Sequence, residues 1–217
     1  MILTIEEITE LEKELKKRRE YHYDRWWRKQ NNYRDRMTRF VYNIRNRNDC
    51  IKGIKNAYES NNINDKHRFF NYSANRRYNF RSAQWVENLF KLHPNVIGEE
   101  NETHQYIDFY IDWIPFDHKT TIFPKACKNT IEYAKENKGD LIDRLYKNQS
   151  TQQRFHMKNR LFVVMHSLNW DDWKLKAELS FMKPIIDEYL NNFRKDRLYK
   201  FKYNYEEIFS DTIRVEK

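Results

Sequence analysis

The chain has 217 residues, room for one medium domain with an appendage or for two small domains. It is strongly basic, with 41 Lys and Arg against 32 Asp and Glu and a net charge of +9. No stretch approaches the ~18 apolar residues of a membrane span, and the acidic start MILTIEEITELEKEL lacks a signal-peptide layout. The expected setting is therefore intracellular (cytoplasmic), not secreted and with no membrane partner. Cys50 and Cys127 are far apart and read as ordinary reduced thiols, seven scattered histidines give no zinc pattern, and three glycines disfavour a Gly-rich phosphate loop.

The charge is uneven. Residues 1–80 hold 19 Lys and Arg against 11 Asp and Glu, and residues 81–217 hold 22 against 21. A basic segment attracts phosphate, or an acidic protein, through charge and counterion release. Thr4 suits a helix N-cap, with Glu6 and Glu7 in the first turn. Ile5, Ile8, Leu11 or Glu12, and Leu15 make a narrow stripe that fits one partner helix. The basic, aromatic run KKRREYHYDRWWRKQNNYRDRMTRF follows. In it Arg18, Arg19, Arg25, Trp26, Trp27 and Arg28 are candidates for nucleic-acid binding, because bases stack on rings while cations meet phosphates. The alternative is a helical hairpin whose aromatics pack inward.

Tyr33, Met37, Phe40, Val41 and Ile44, then Cys50, Ile51, Ile54 and Tyr58, repeat with helical spacing. They predict two or three helices up to Glu59 and Ser60, before the polar break NNINDK. His67–Phe80 is rich in Arg, Asn and aromatics without a clear period, and is expected to wrap against the rest of the chain. The segment FRSAQWVENLFKLHP predicts a helix capped by Ser82, with Trp85, Leu89 and Phe90 inward, Glu87 mid-helix and His93-Pro94 at its end. Asn95–Gln105 offers a poor first strand. The expected division is a basic, aromatic-rich helical arm over 1–66 and a second domain over 67–217.

Ile107–Thr121, IDFYIDWIPFDHKTT, is the most informative stretch. It predicts a tight β-hairpin with Asp112-Trp113 as its two-residue turn. Counting outward, Ile111 faces Ile114, Tyr110 faces Pro115, Phe109 faces Phe116, and Asp108 faces Asp117. Lys119 shares the face of Asp117, whereas His118 alternates to the other side and Asp112 is a turn residue. Like charges directly opposite are destabilising. A divalent cation such as Mg²⁺ would neutralise them, and the lysine could stabilise charge growing on a phosphate. The bland alternative is a surface hairpin with a salt bridge.

These residues resemble the PD-(D/E)XK nuclease superfamily, in which the first Asp lies on the second core strand and the (D/E)XK triplet on the third. Asp108 matches the first position and Asp117-His118-Lys119 the triplet. Glu87 matches an acidic position that the superfamily often adds on the preceding helix. A helix over Lys125–Leu145 and a buried strand over Arg160–His166 complete the order α-β-β-β-α-β, so the likeness covers well over half of the chain. Ile107 stands where a Pro often precedes the first Asp, the link between the carboxylates is short, and Pro115 suggests an edge position or an irregular strand start.

The resemblance implies an α/β (α+β) fold with a restriction-endonuclease-like αβββαβ core and an N-terminal basic helical extension. It implies a Mg²⁺-dependent endodeoxyribonuclease, with Mn²⁺ an alternative cation, and DNA as partner. Asp108 and Asp117 would hold the metal, with a triplet carbonyl as a further oxygen and Glu87 acting directly or through a water. Lys119 would position the attacking water. It also implies that Gln149, Gln152 and Arg154, in the polar cluster NQSTQQR, touch the DNA backbone, against a plain solvated loop as the alternative. Two-fold dimers are common in the superfamily. A second reading is a structural or adaptor component, of a phage particle or another assembly, that docks through its helical arm on a nuclease-derived fold without catalysis. A third is a DNA binder without sequence preference or catalysis.

Overall fold

The computed structural model describes residues 4–21, 32–101, 104, 106–124, 130–148, 158–169, 171–203 and 205–217. They form a mixed α and β protein with eight α-helices and one six-stranded mixed sheet. The chain divides into two compact units, Thr4–Trp85 and Val86–Lys217. The division expected after residue 66 falls instead after Trp85, where the helical unit ends. Among the described residues no helix is long and apolar enough to cross a membrane.

The helical unit holds α1 (Ile5–Lys16), α2 (Asn32–Met37), α3 (Arg47–Ser60) and most of α4 (Lys66–Lys91). Thr4 caps α1 as expected. Its Oγ1 accepts from the Glu7 N–H at 3.2 Å, and its own N–H donates to Glu7 Oε2 at 2.7 Å, a reciprocal capping box. Asn46 caps α3. Cys50, Ile54 and Phe69 form a small core backed by Met37, Phe40 and Ile44. Burial pushes the Cys50 thiol up to about 11, so it is an inert packing group.

The stretch 67–80 corrects the sequence reading, as does the cap at Ser82. Both belong to the continuous helix α4, and Ser82 is fully buried in its interior. The N-cap is Asp65, whose Oδ1 accepts from the Arg68 N–H at 2.9 Å. The apolar period is missing because much of the inward face is polar. Asn71, Asn75, Arg77 and Arg81 are all buried. Arg81 donates to the carbonyls of Ile44 at 3.1 Å and Tyr42 at 2.7 Å, satisfying backbone groups that short helices leave orphaned.

In the second unit β1 (Val96–Gly98), β2 (Phe109–Ile111), β3 (Ile114–Ile122), β4 (Arg160–His166), β5 (Tyr199–Tyr203) and β6 (Glu206–Glu216) lie in the order β1-β2-β3-β4-β6-β5. β1, β2 and β3 are antiparallel neighbours, β4 and β6 run parallel to β3, and β5 closes antiparallel. The expected helix over 125–145 is two helices, α5 (Ile131–Glu136) and α6 (Lys138–Asn148), because Asn137 leaves the helical region at φ −118°, ψ 58°; residues 125–129 lie outside the described set. These two helices cover one sheet face, packing Leu141, Ile142 and Leu145 on Phe162, Val164 and Ile208. Two further helices follow, α7 (Asp172–Leu175) and α8 (Leu179–Asn191). Tyr189 of α8 reaches Asp211, which alternates to the opposite face. Covered on both faces, β4 is an unbroken apolar run from Leu161 to Met165, all fully buried.

Candidate functional site

The hairpin forms in the expected register, with Ile111 opposite Ile114, Tyr110 opposite Pro115 and Phe109 opposite Phe116. Asp112 and Trp113 take φ of 46° and 66°, the paired left-handed conformation of a tight hairpin turn. Pro115 is tolerated because β4 begins only opposite Asp117, so no strand seeks the missing N–H.

The ladder stops at Phe109, which corrects the expected facing of Asp108 and Asp117. The Asp108 N–H donates to the Phe116 carbonyl at 2.9 Å. Its side chain turns to the backbone instead, Oδ2 accepting from the His118 N–H at 2.6 Å. With β2 ended, that carboxylate satisfies an N–H that would otherwise lack a partner. Burial raises the Asp108 pKa from 3.8 to about 6. The His118 hydrogen bond opposes the rise, the like charges of Asp117 and Glu87 add to it, and Lys119 lowers it. Asp108 thus feels all three of the other expected catalytic residues.

Asp117 sits on β3, its side chain only 8 % exposed, with both oxygens ion-paired. Lys119 Nζ lies 2.5 Å from Oδ1 and Arg160 Nε 3.0 Å from Oδ2. Lys119 shares the Asp117 face, and its side chain is 40 % exposed. His118 alternates to the other face as expected. It packs near Phe90 and Phe109, and burial pushes its pKa down to about 3, so it stays neutral.

Arg160 is a residue that sequence reasoning missed. It is paired in register with Asp117 across the parallel β3–β4 ladder, and its guanidinium lies over the Tyr146 ring at 5.2 Å. The signal was the buried strand itself: once β4 runs parallel to β3, its first residue falls beside Asp117.

Among the other expected residues, Glu87, Arg18 and Arg19 are described. Glu87, on α4, is held by Lys91 at 2.5 Å, one helical turn away. Arg18 is a correction: it is 6 % exposed and internal to the helical unit, donating to Asn75 Oδ1 at 2.6 Å and to the Tyr21 carbonyl at 3.0 Å. An arginine with its fork turned inward is a strut and not a phosphate contact. Arg19 is half-buried. Arg25, Trp26, Trp27, Arg28, Gln149, Gln152 and Arg154 lie outside the described residues.

Asp108 and Asp117 could together hold a hard cation that takes carboxylate oxygens and keeps waters, which would also relieve the part of the Asp108 rise that comes from Asp117 and Glu87. Glu87 does not complete the set. Among the described residues no three His, Cys, Asp or Glu side chains form a metal-holding group. No family model, characterised protein or solved structure matches this chain.

Proposed function

We propose that the chain is a Mg²⁺-dependent nuclease that hydrolyses DNA phosphodiester bonds, on a restriction-endonuclease-like core. The observation that carries this reading is the placement of Asp108, bound to the His118 N–H at 2.6 Å, at the base of the same hairpin as the Asp117–Lys119 pair at 2.5 Å. The element order from α4 through β1, β2, β3, α5–α6 and β4 agrees with the α-β-β-β-α-β pattern.

When bound, a divalent cation would supply positive charge to offset the charge developing on a scissile phosphate. Asp108 and Asp117 would hold it, and Arg160 fixes the Asp117 carboxylate by its Nε bond at 3.0 Å. Lys119, tied to Asp117 and half open to solvent, can turn a proton toward an incoming water or a phosphate oxygen. Arginines and lysines of the helical unit would hold the DNA backbone without reading sequence.

The test is cleavage of supercoiled plasmid and oligonucleotides with Mg²⁺ or Mn²⁺, wild type beside Lys119→Ala and Asp108→Ala, each checked for folding by circular dichroism. We expect cutting by wild type, a loss of at least about 100-fold in both variants, and none in EDTA. Cutting that survives chelation overturns the mechanism. A second reading, a docking component that keeps the fold without catalysis, is favoured by one observation: both Asp117 oxygens are already ion-paired. It predicts a folded, partner-bound chain that cuts no substrate.

A further inference from the structure

Two hairpins of the sheet share an unusual feature. Trp113 lies in the two-residue connection between the paired Ile111 and Ile114, and Tyr205 in that between the paired Tyr203 and Glu206. Both have positive φ, 66° and 68°. That region favours Gly or Asn, and a bulky residue there is strained. Both rings also stand in solvent, Trp113 being 81 % and Tyr205 105 % exposed. Neither conformation nor burial explains an aromatic at these positions, and strain kept in this way concentrates where ligands are held.

The topology brings the two together. β3, β4 and β6 run parallel, with Asp117, Arg160 and Ser210 in one row across them. Trp113 precedes β3 and Tyr205 precedes β6, so both tips project from the same edge of the sheet, four and five residues before that row. One strand separates β3 from β6, which sets their starts on the order of 10 Å apart. That end of β3 is the one nearer Asp117, with Lys119 two residues further along the strand.

We propose that Trp113 and Tyr205 form a two-ring platform that stacks on unpaired bases of a nucleic acid. This deepens the nuclease reading by making single-stranded or locally opened nucleic acid the substrate class. Every base offers a π-face, so such stacking needs no sequence preference. The flanking residues favour bases over an anionic lipid surface. Asp112 precedes Trp113, and Glu206 and Glu207 follow Tyr205, all exposed. Glu206 is held by Lys158 at 3.2 Å, and the carboxylates oppose a plane of lipid phosphates, whereas a single strand can turn its phosphates away while base N–H groups, thymine N3–H included, donate to them.

The experiment is fluorescence anisotropy of a labelled oligo-dT and a labelled duplex in EDTA, so that binding is read without cutting. The variants are Trp113→Gly, Tyr205→Gly, the double variant, and Trp113→Phe as the conservative rescue. Each glycine should weaken oligo-dT binding about ten-fold, and the double more. Trp113→Phe should restore most of it, and duplex affinity should stay within about two-fold. The melting temperature should not fall, because glycine suits the left-handed turn. Unchanged oligo-dT affinity, equal losses on duplex, or no oligo-dT binding by wild type would overturn the platform. So would sedimentation with phosphatidylserine vesicles that the same substitutions abolish. If Lys119→Ala and wild type alike fail to cut while these binding differences hold, the catalytic reading falls and the platform stands.

Discussion

Asp108 is held in a contradiction that can be measured. Its Oδ2 takes the His118 N–H, which favours the ionised form, yet burial and the charges of Asp117 and Glu87 win and set its pKa at about 6. A carboxyl whose folded pKa lies above its unfolded value gives stability that is fully present below the unfolded value of 3.8 and is lost as pH rises through about 6. Asn keeps the acceptor for His118 and removes the charge. In EDTA, Asp108→Asn should therefore be more stable than wild type at pH 7, by on the order of 2 kcal/mol, and the difference should vanish below about pH 4. Urea denaturation across that range decides it. A variant less stable than wild type at neutral pH would mean that the carboxylate, and not its neutralisation, holds the hairpin base together.

At the scale of elements, α4 shows where pattern reading succeeds and where it stops. Asp65 caps the helix through the Arg68 N–H at 2.9 Å. Asp65→Ala should lower stability by about 1 kcal/mol while Asp65→Asn is nearly neutral. Equal stability of Asp65→Ala and wild type by thermal melting would place the helix start elsewhere. The sequence hid this start because apolar spacing signals a helix only where the buried face is apolar. Leu89 and Phe90 bury such a face as expected, and that portion was legible, although Val86 and not the half-buried Trp85 completes it. The turns before them bury Asn71, Asn75 and Arg77, whose partners are backbone and side-chain groups of distant segments, so no local period announces them. The hairpin was legible for the opposite reason. Its register follows from the turn and from alternation, both local, and it held to Phe109. One residue further it failed, because the His118 N–H recruited the Asp108 carboxylate where the strand had ended. Arg160 stayed invisible since only the parallel pairing of two remote strands sets it beside Asp117.

Across the whole molecule, net charge is divided unevenly between the two units. Thr4–Trp85 holds 20 Lys and Arg against 11 Asp and Glu, and Val86–Lys217 holds 21 of each, so the full net charge of +9 belongs to the helical unit. The unit with the candidate site is neutral and by itself gives a polyanion little long-range attraction. On the proposed nuclease reading, affinity for nucleic acid comes from the helical unit and falls steeply with salt, because phosphate contacts release counterions. Arg36, Arg39 and Lys52 are exposed there, whereas Lys195, Arg197 and Lys200 are exposed on the neutral unit. Changing the first three to Gln should flatten the plot of log affinity for duplex DNA against log salt by up to about 0.9 for each phosphate contact removed. The second triple change should leave the slope as it was. Anisotropy at four or five salt concentrations measures both. Equal flattening by the two sets would mean that charge acts through the molecule's total, and the division of labour argued from the sequence would not hold.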